Sequence, residues 1–370
     1  MIEDRAVPAR DVVTIPAGEL DRLLRRAFQR AGLDDADAAT VSEVLVDANL
    51  RGIDSHGVER APIYLRRVHA GLAGGRERVR VHTDAGAMVR LDAGHALGVL
   101  AAVPAADLAI DRARAHGMAL VSVGRSGHFG HGGFYAQRGA AAGMLAIVAS
   151  NAPASMAPHG ATSPFLGANP LAIGAPLGHG REFVVDFSTS VIARGRIRRA
   201  RNLGEEIPAG TAIDAGGRPT VDPEAALAGS VLPMSGPKGS GLALGIGLLT
   251  SFLADADFDD EMGSMYTDFQ RPQNIGHVFI MIDAGRLTDA AAATDRAAAM
   301  LDRLHGLLPA DGFDAVRAAG EERDRCLAER RRSGIPVAVE ELTALAAACA
   351  ACGAGEVAAE VGRHVPLSTP

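Results

Sequence analysis

Two short polar runs hold the residue types from which proton transfer and carboxylate binding are built. The first is Asp54-Ser55-His56-Gly57-Val58-Glu59-Arg60. An imidazole such as that of His56 takes or gives a proton near neutral pH. Arg60 stands four residues on, and on one helix the two side chains would share a face. A guanidinium grips a carboxylate with two parallel hydrogen bonds. Ser55 can donate another, and Tyr64 repeats the four-residue spacing. Taken by itself, the run is a capped helix start first and a site second. The other run is Gly124-Arg125-Ser126-Gly127-His128-Phe129-Gly130-His131-Gly132-Gly133. Its glycines let backbone approach a ligand closely. His128 there is a second acid/base, or a group orienting a substrate oxygen, or a solvated turn residue. His128 and His131 lack a third ligand at metal-binding spacing, so no metal is expected.

Three further segments offer binding chemistry. Val185-Asp186-Phe187-Ser188-Thr189-Ser190 closes a strand, where ligands of α/β proteins sit, and its hydroxyls can bond a ribose or phosphate or cap the next helix. Pro237-Lys238-Gly239-Ser240-Gly241 puts an ammonium at a helix start, an anion site suited to a cofactor phosphate. Leu166-Gly167-Ala168-Asn169-Pro170-Leu171 is a turn into a strand and says little alone. A dinucleotide fingerprint G-x-G-x-x-G between strand and helix is missing. Its nearest match, Gly353-Ala354-Gly355, follows a helix at the C-terminal end with no room for a βαβ unit.

These segments need elements to position them. Asp34-Asp35 caps a helix carrying Val41, Val44, Leu45 and Ala48, and an amphipathic stretch with Ile63, Tyr64 and Val68 ends at Gly71. Strands are predicted over 88–91, 118–123, 145–149, 183–187 and 278–282. Helices are predicted over 101–116, 135–142, 239–253, 289–306, 311–332 and 338–352. Residues 151–180 read as one long irregular stretch, and 201–237 as turn-rich. The pattern predicts an α/β domain over 81–299 and a helical domain assembled from 1–80 and 300–370.

Bulk properties narrow the classes. With 370 residues, 48% hydrophobic and 22% charged, the chain can bury a core and is neither disordered nor collagen-like. A net charge of -7 excludes nucleic acid or anionic lipid as a partner of the whole surface. Three cysteines fit a reducing compartment, and Cys349 and Cys352, in an Ala-rich run, read as small apolar helix residues. No apolar run is long enough to span a membrane, and Glu3, Asp4 and Arg5 interrupt any signal-peptide pattern, so cytoplasm is expected.

In this order and spacing the five segments resemble the type-2 malate/L-lactate dehydrogenase family, whose members include ureidoglycolate, sulfolactate and 2,3-diketogulonate dehydrogenases and a cyclic-imine reductase. The likeness runs from Gly32-Leu33 to Gly334-Ile335-Pro336, and Ser264-Met265-Tyr266 with Asn274-Ile275-Gly276-His277 is closest to the ureidoglycolate branch. The resemblance implies a non-Rossmann fold, a homodimer, and NAD or NADP bound in the α/β domain. The reaction it implies is hydride transfer with a small 2-hydroxy or 2-oxo acid. The alternatives are reduction of a cyclic imine acid such as Δ1-piperideine-2-carboxylate, or a catalytically silent nucleotide-binding relative. By position, His56 or His128 would handle the proton, His56 being favoured. Ser55, Arg60 and Tyr64 would hold the carboxylate. Asp186, Phe187, Ser188 and Lys238 would line the cofactor site, with Gly320, Glu321 and Glu322 nearby. The chain departs from the family pattern at Ala168, usually Thr; Ala161, usually Gly; Arg196, usually Lys; and Ala319, usually Pro.

Overall fold

A computed structural model describes residues 12–178 and 180–366, so Glu3, Asp4 and Arg5 lie outside the described residues. In chain order the elements begin β1 (Val12–Ile15), α1 (Ala17–Arg30), α2 (Asp35–Leu50), α3 (Ala61–His69), β2 (Arg80–Ala85), β3 (Met88–Asp92), α4 (Gly98–His116) and β4 (Met118–Ser126). There follow α5 (Gly132–Ala141), β5 (Leu145–Ser150), β6 (Leu171–Pro176), β7 (Glu182–Phe187), α6 (Arg194–Leu203), β8 (Ala212–Ile213), β9 (Pro219–Thr220) and α7 (Pro223–Ala228). The chain ends with β10 (Ser230–Val231), α8 (Pro237–Ala254), β11 (Ile275–Ile282), α9 (Ala290–His305), α10 (Glu321–Ser333), β12 (Ile335–Ala338), α11 (Val339–Ala351) and α12 (Gly355–Gly362).

The chain divides into two compact units, residues 1–75 with 322–370 and residues 76–321. The boundaries thus fall at 75/76 and 321/322, where the sequence predicts 80/81 and 299/300. Residues 300–321 go with the second unit for local reasons. His305 at the end of α9 bonds Glu321, and Gly320 lies so close to β7 that a Cβ on it would stand 2.3 Å from the Val184 carbonyl oxygen.

The first unit is helical and joins the two ends of the chain. β1 pairs antiparallel with β12, Val12 opposite Ala338 and Ile15 opposite Ile335. Asp34 caps α2 by accepting from the Asp37 N–H at 2.7 Å, as the Asp34-Asp35 pattern suggests. Leu20, Leu23, Leu24, Phe28, Leu45 and Leu65 are buried to within 1%. Burying each such side chain is worth about 1.5–3 kcal/mol before entropy is charged against it. Cys349 and Cys352 are buried thiols, and burial pushes Cys349 up to about 11.

The second unit is built on a seven-stranded mixed sheet in the order β2-β3-β4-β11-β5-β6-β7. β3 and β4 run parallel, whereas β11 is antiparallel to both β4 and β5, and β6 to both β5 and β7. It follows that β3, β4, β5 and β7 all point one way and end at one edge. Val121 and Val123 of β4 join the α4–α5 core on one face, while the Ser122 hydroxyl between them bonds the Leu253 carbonyl of α8 on the other. A small sheet, β10-β8-β9, contributes Ala212 and Val231 to a core that also holds Met156 and Ile197.

Two expectations fail for identifiable reasons. Residues 311–320 are not helical: Gly312 and Gly320 take positive φ, +87° and +95°, and α10 begins only at Glu321. The stretch 151–180 is not irregular throughout: the turn at 166–171 does lead into a strand, and Leu171–Pro176 forms β6 between β5 and β7 despite its glycine and proline.

Candidate active site

The His56 segment is not one helix. Asp54–His56 and Val58–Arg60 are separate 3₁₀ turns, broken at Gly57 (φ -91°, ψ -136°), and α3 starts at Ala61. The expected four-residue helical spacing from His56 to Arg60 is therefore lost, for a packing reason. Gly57 lies against Asn49 of α2, where a Cβ would stand 2.2 Å from Asn49 Oδ1. Asn49 Oδ1 accepts from the Val58 N–H at 2.7 Å, and Asn49 Nδ2 donates to Asp54 Oδ1 at 2.8 Å. Arg330 of α10 grips the same carboxylate with both ends of its fork, at 2.6 and 3.1 Å, and also donates to the Asn49 carbonyl. Asp54 is thus a structural anchor, pinned from two directions, and it holds Ser55 and His56. Ser55 Oγ and His56 Nδ1 are 3.0 Å apart. A hydroxyl both donates and accepts, so it can serve either tautomer of this imidazole. Arg60 and Tyr64 are buried, 6% and 1% exposed, and Arg60 lies 3.7 Å from Glu59. Sequence reasoning missed Asn49 and Arg330, since 276 residues separate Arg330 from Asp54.

Four segments gather at the edge of the second unit's sheet where β4, β5 and β7 end. The His128 turn leaves β4. The Gly130 N–H donates to His128 Nδ1 at 3.2 Å, which puts the proton of the neutral ring on Nε2. Asp186, in β7, bonds the start of α5: its Oδ2 accepts from the Gly133 N–H at 2.9 Å and lies 3.8 Å from His131 Nδ1. The glycines matter here, because a Cβ on Gly133 would stand 3.2 Å from that oxygen. Beyond β7, the Thr189 N–H donates to the Ala168 carbonyl at 3.0 Å, and the Met234 N–H to the Thr189 carbonyl at 2.9 Å. The Gly239 N–H in turn donates to the Met234 carbonyl. The 124–133, 166–171, 185–190 and 234–241 segments are therefore tied to one another by hydrogen bonds.

Within this group the expected cofactor residues have distinct settings. Phe187 and Ser188 are half-buried, Ser188 being 3.1 Å from Ser190 Oγ. Lys238 is exposed in the first turn of α8 and is the one lysine among the 37 lysine and arginine residues of the chain. Glu321 is engaged locally, by His305 Nε2 at 2.6 Å and by the Ala318 N–H at 3.0 Å. Glu322, described with the first unit, pairs with Arg325 at 2.9 Å. Gly320 is required by its positive φ and its contact with Val184. Buried beneath the group, Asn169 accepts from the Ala152 N–H and donates to the Ala243 carbonyl and to Asp259 Oδ2. Burial pushes the Asp259 carboxyl above its ordinary range. Among the described residues, no three His, Cys, Asp or Glu side chains are grouped to hold a metal, and no helix is long and apolar enough to cross a membrane.

Known proteins share this arrangement of chain. The model of the malate/L-lactate dehydrogenase family matches residues 15–346. A (2R)-3-sulfolactate dehydrogenase (NADP(+)) of Chromohalobacter salexigens is 35% identical over 89% of this chain and 96% of its own. A ureidoglycolate dehydrogenase (NAD(+)) of Escherichia coli is 34% identical over 82% and 87%. The crystal structure of a dehydrogenase from Sinorhizobium meliloti superposes with a TM-score of 0.86 at 30% identity, covering 91% of this chain and 98% of that one. The chain belongs to the malate/L-lactate dehydrogenase family and is an oxidoreductase of that family.

Proposed function

We propose that this chain moves a hydride between NAD or NADP and C2 of a small 2-hydroxy or 2-oxo acid. The observation that carries this beyond family membership is the hydrogen-bonded gathering of the His128, Ala168, Asp186–Ser190 and Lys238 segments at one sheet edge. Ligands of α/β sheets bind at the carboxyl ends of strands. The donor set suits the cofactor: an exposed ammonium at a helix N-terminus matches a pyrophosphate. Lys238, Phe187 and Ser188 would hold the dinucleotide, whose nicotinamide supplies the hydride chemistry when bound.

The chain's own residues supply binding and proton transfer. Arg60, Ser55 and Tyr64 hold the carboxylate. His128, neutral with its proton on Nε2, donates a hydrogen bond to the C2 oxygen. His56, backed by a hydroxyl that donates or accepts, exchanges the proton of that oxygen with solvent groups, as an acid in reduction and a base in oxidation. Homodimer formation and residence in the cytoplasm are parts of the same proposal. Exposed Leu244 and Phe252 on α8 support the first, the three unpaired thiols the second. Light scattering and cell fractionation test them.

The decisive assay is a panel of 2-oxo acids bearing a second carboxylate, a sulfonate or a ureido group, together with a cyclic imine acid, run with NADH and NADPH in parallel. Turnover of a 2-oxo acid is expected. Turnover of the imine alone would move the assignment to imine reduction, and nicotinamide binding without any turnover would sink the enzymatic proposal.

A further inference from the structure

His277 belongs to β11, the central strand of the sheet, and is fully buried. A buried polar ring is tolerated only where its nitrogens find partners, and both of these do. Nε2 lies 3.1 Å from the Gly127 carbonyl oxygen and 3.0 Å from Ser126 Oγ; Nδ1 lies 2.9 Å from Ser150 Oγ. A carbonyl oxygen only accepts, so the contact with Gly127 puts the proton on Nε2, which leaves Nδ1 facing the Ser150 hydroxyl, itself 2.9 Å from the Asn151 carbonyl oxygen. Burial pushes the pKa of the ring down to about 3, so it stays neutral at any working pH. The ring also lies flat on Phe129, centroids 4.4 Å apart and planes 4° apart. Tyr135 stacks on Phe129 as well, at 5.1 Å, and its hydroxyl donates to the Phe129 carbonyl.

These contacts have one residue in common that none of them touches. His277 holds the carbonyl before His128 and the ring after it, so the half-buried His128 projects from a turn fixed on both flanks. The turn is hemmed in by α4 as well: Gly98, its first residue, abuts the turn so tightly that a Cβ would stand 2.1 Å from the same Gly127 oxygen. We propose that His277 is a positioning residue, which through its Nε2–H bond to Gly127 and its stack on Phe129 fixes the direction in which His128 meets the substrate oxygen. The proposal rests on the role given to His128 above.

The test is a double-mutant cycle on the full chain. His277→Phe keeps the stack and removes the donor. A misdirected catalytic group costs up to about 100-fold, so kcat is expected to fall roughly 10- to 100-fold while the KM for cofactor stays within about twofold. His277→Gln, which returns an N–H near the Nε2 position, is expected to recover several-fold of that loss. In a His128→Ala background, His277→Phe is expected to add nothing, because the two act as a unit. A fully active His277→Phe, or the same fold-loss persisting in the His128→Ala background, overturns the proposal. Undiminished turnover in His128→Ala alone overturns the role of His128, and the proposal with it. The wild-type protein gives a check that needs no variant to fold. Nitrogen-15 spectra of labelled histidine should show one neutral ring with its proton on Nε2 from pH 5.5 to 8. A protonated ring, or the proton on Nδ1, in the signal assigned to His277 overturns it.

Discussion

The first unit holds its His56 segment with charges, the second holds its His128 turn with an uncharged ring. Asp54 and Arg330 are a partly exposed pair, with side chains 36% and 15% exposed; burial opposes the Arg330 charge, and the bonds to Asp54 more than offset it, so that its pKa is raised. His277 is entirely buried, and the same task falls to a neutral donor, since a buried cation there would cost several kcal/mol. One kind of anchor works in contact with water and is screened by salt. The other depends on excluding both. A chain can thus fix two histidines in place by opposite physics, and the difference can be measured.

The largest expected effect is on chemistry. His56→Ala should lower kcat at least ~100-fold, the scale of a lost general acid/base, with folding unchanged by circular dichroism. A fall of less than threefold would remove His56 from proton transfer. Next is Lys238→Met, which removes the one lysine at the start of α8. A lost hydrogen bond to a charged group is worth about 1.5–3 kcal/mol, so cofactor KM should rise roughly 10- to 100-fold while KM for the acid moves little. An unchanged cofactor KM would free Lys238 from the nucleotide.

Smaller effects separate the two anchors directly. Arg330→Met should cost on the order of 1–2 kcal/mol of stability, between the values for exposed and buried pairs, and should weaken the salt dependence of activity. His277→Phe should leave the salt dependence unchanged; equal responses would erase the contrast. The pH dependence of stability should also have two arms. The folded pKa of His277 lies below its unfolded value, so between about pH 3 and 6.5 the unfolded chain binds the extra proton, and stability present above pH 6.5 is lost on acidification. From pH 7.5 to pH 5 that is up to about 2 kcal/mol, and His277→Phe should flatten it. Glu341 in the first unit runs the other way. Burial, and then the charges of Glu59 and Asp54, push its carboxyl up to about 8, so the folded state binds the extra proton. Its contribution is complete below the unfolded pKa near 4.5 and fades as pH rises toward 8. Between about pH 4.5 and 6.5 the two contributions oppose each other, so in a pH series of melting curves Glu341→Gln should remove the fall toward pH 8 and make the loss on acidification steeper.

Local signals were legible in the sequence and distant ones were not. The Asp34 cap acts across three residues, and the apolar runs of β4, β5 and β11 mark themselves. By contrast β2, Arg80–Ala85, is exposed at every position and offers no alternation to read. The start of β6 follows the turn read at 166–171, while Gly174 and Pro176 mask its extent, and β1 with β12 becomes a sheet only when the chain ends meet. The candidate site divides the same way. His56, His128 and Lys238 stand out as polar residues beside glycine. Arg330, Asp259 and His277 do not, because each acquires its job from a partner far along the chain; Asn49 acts within nine residues, but inside an apolar helix it reads as one more helical position. The glycines of 130–133 were readable as a signal, but at Gly133 the close neighbour is Asp186 of the chain itself.

The bond from Arg330 to Asp54 also has a consequence in time. A ribosome adding roughly 5–20 residues per second takes about 15–55 s to travel the 276 residues between them. Over that interval Asp54 has its Asn49 bond but not the Arg330 fork, and β1 is without β12. Chains released before Arg330 should carry an intact second unit and an unset His56. The last stretch of synthesis would then act as the latch that arms the protein.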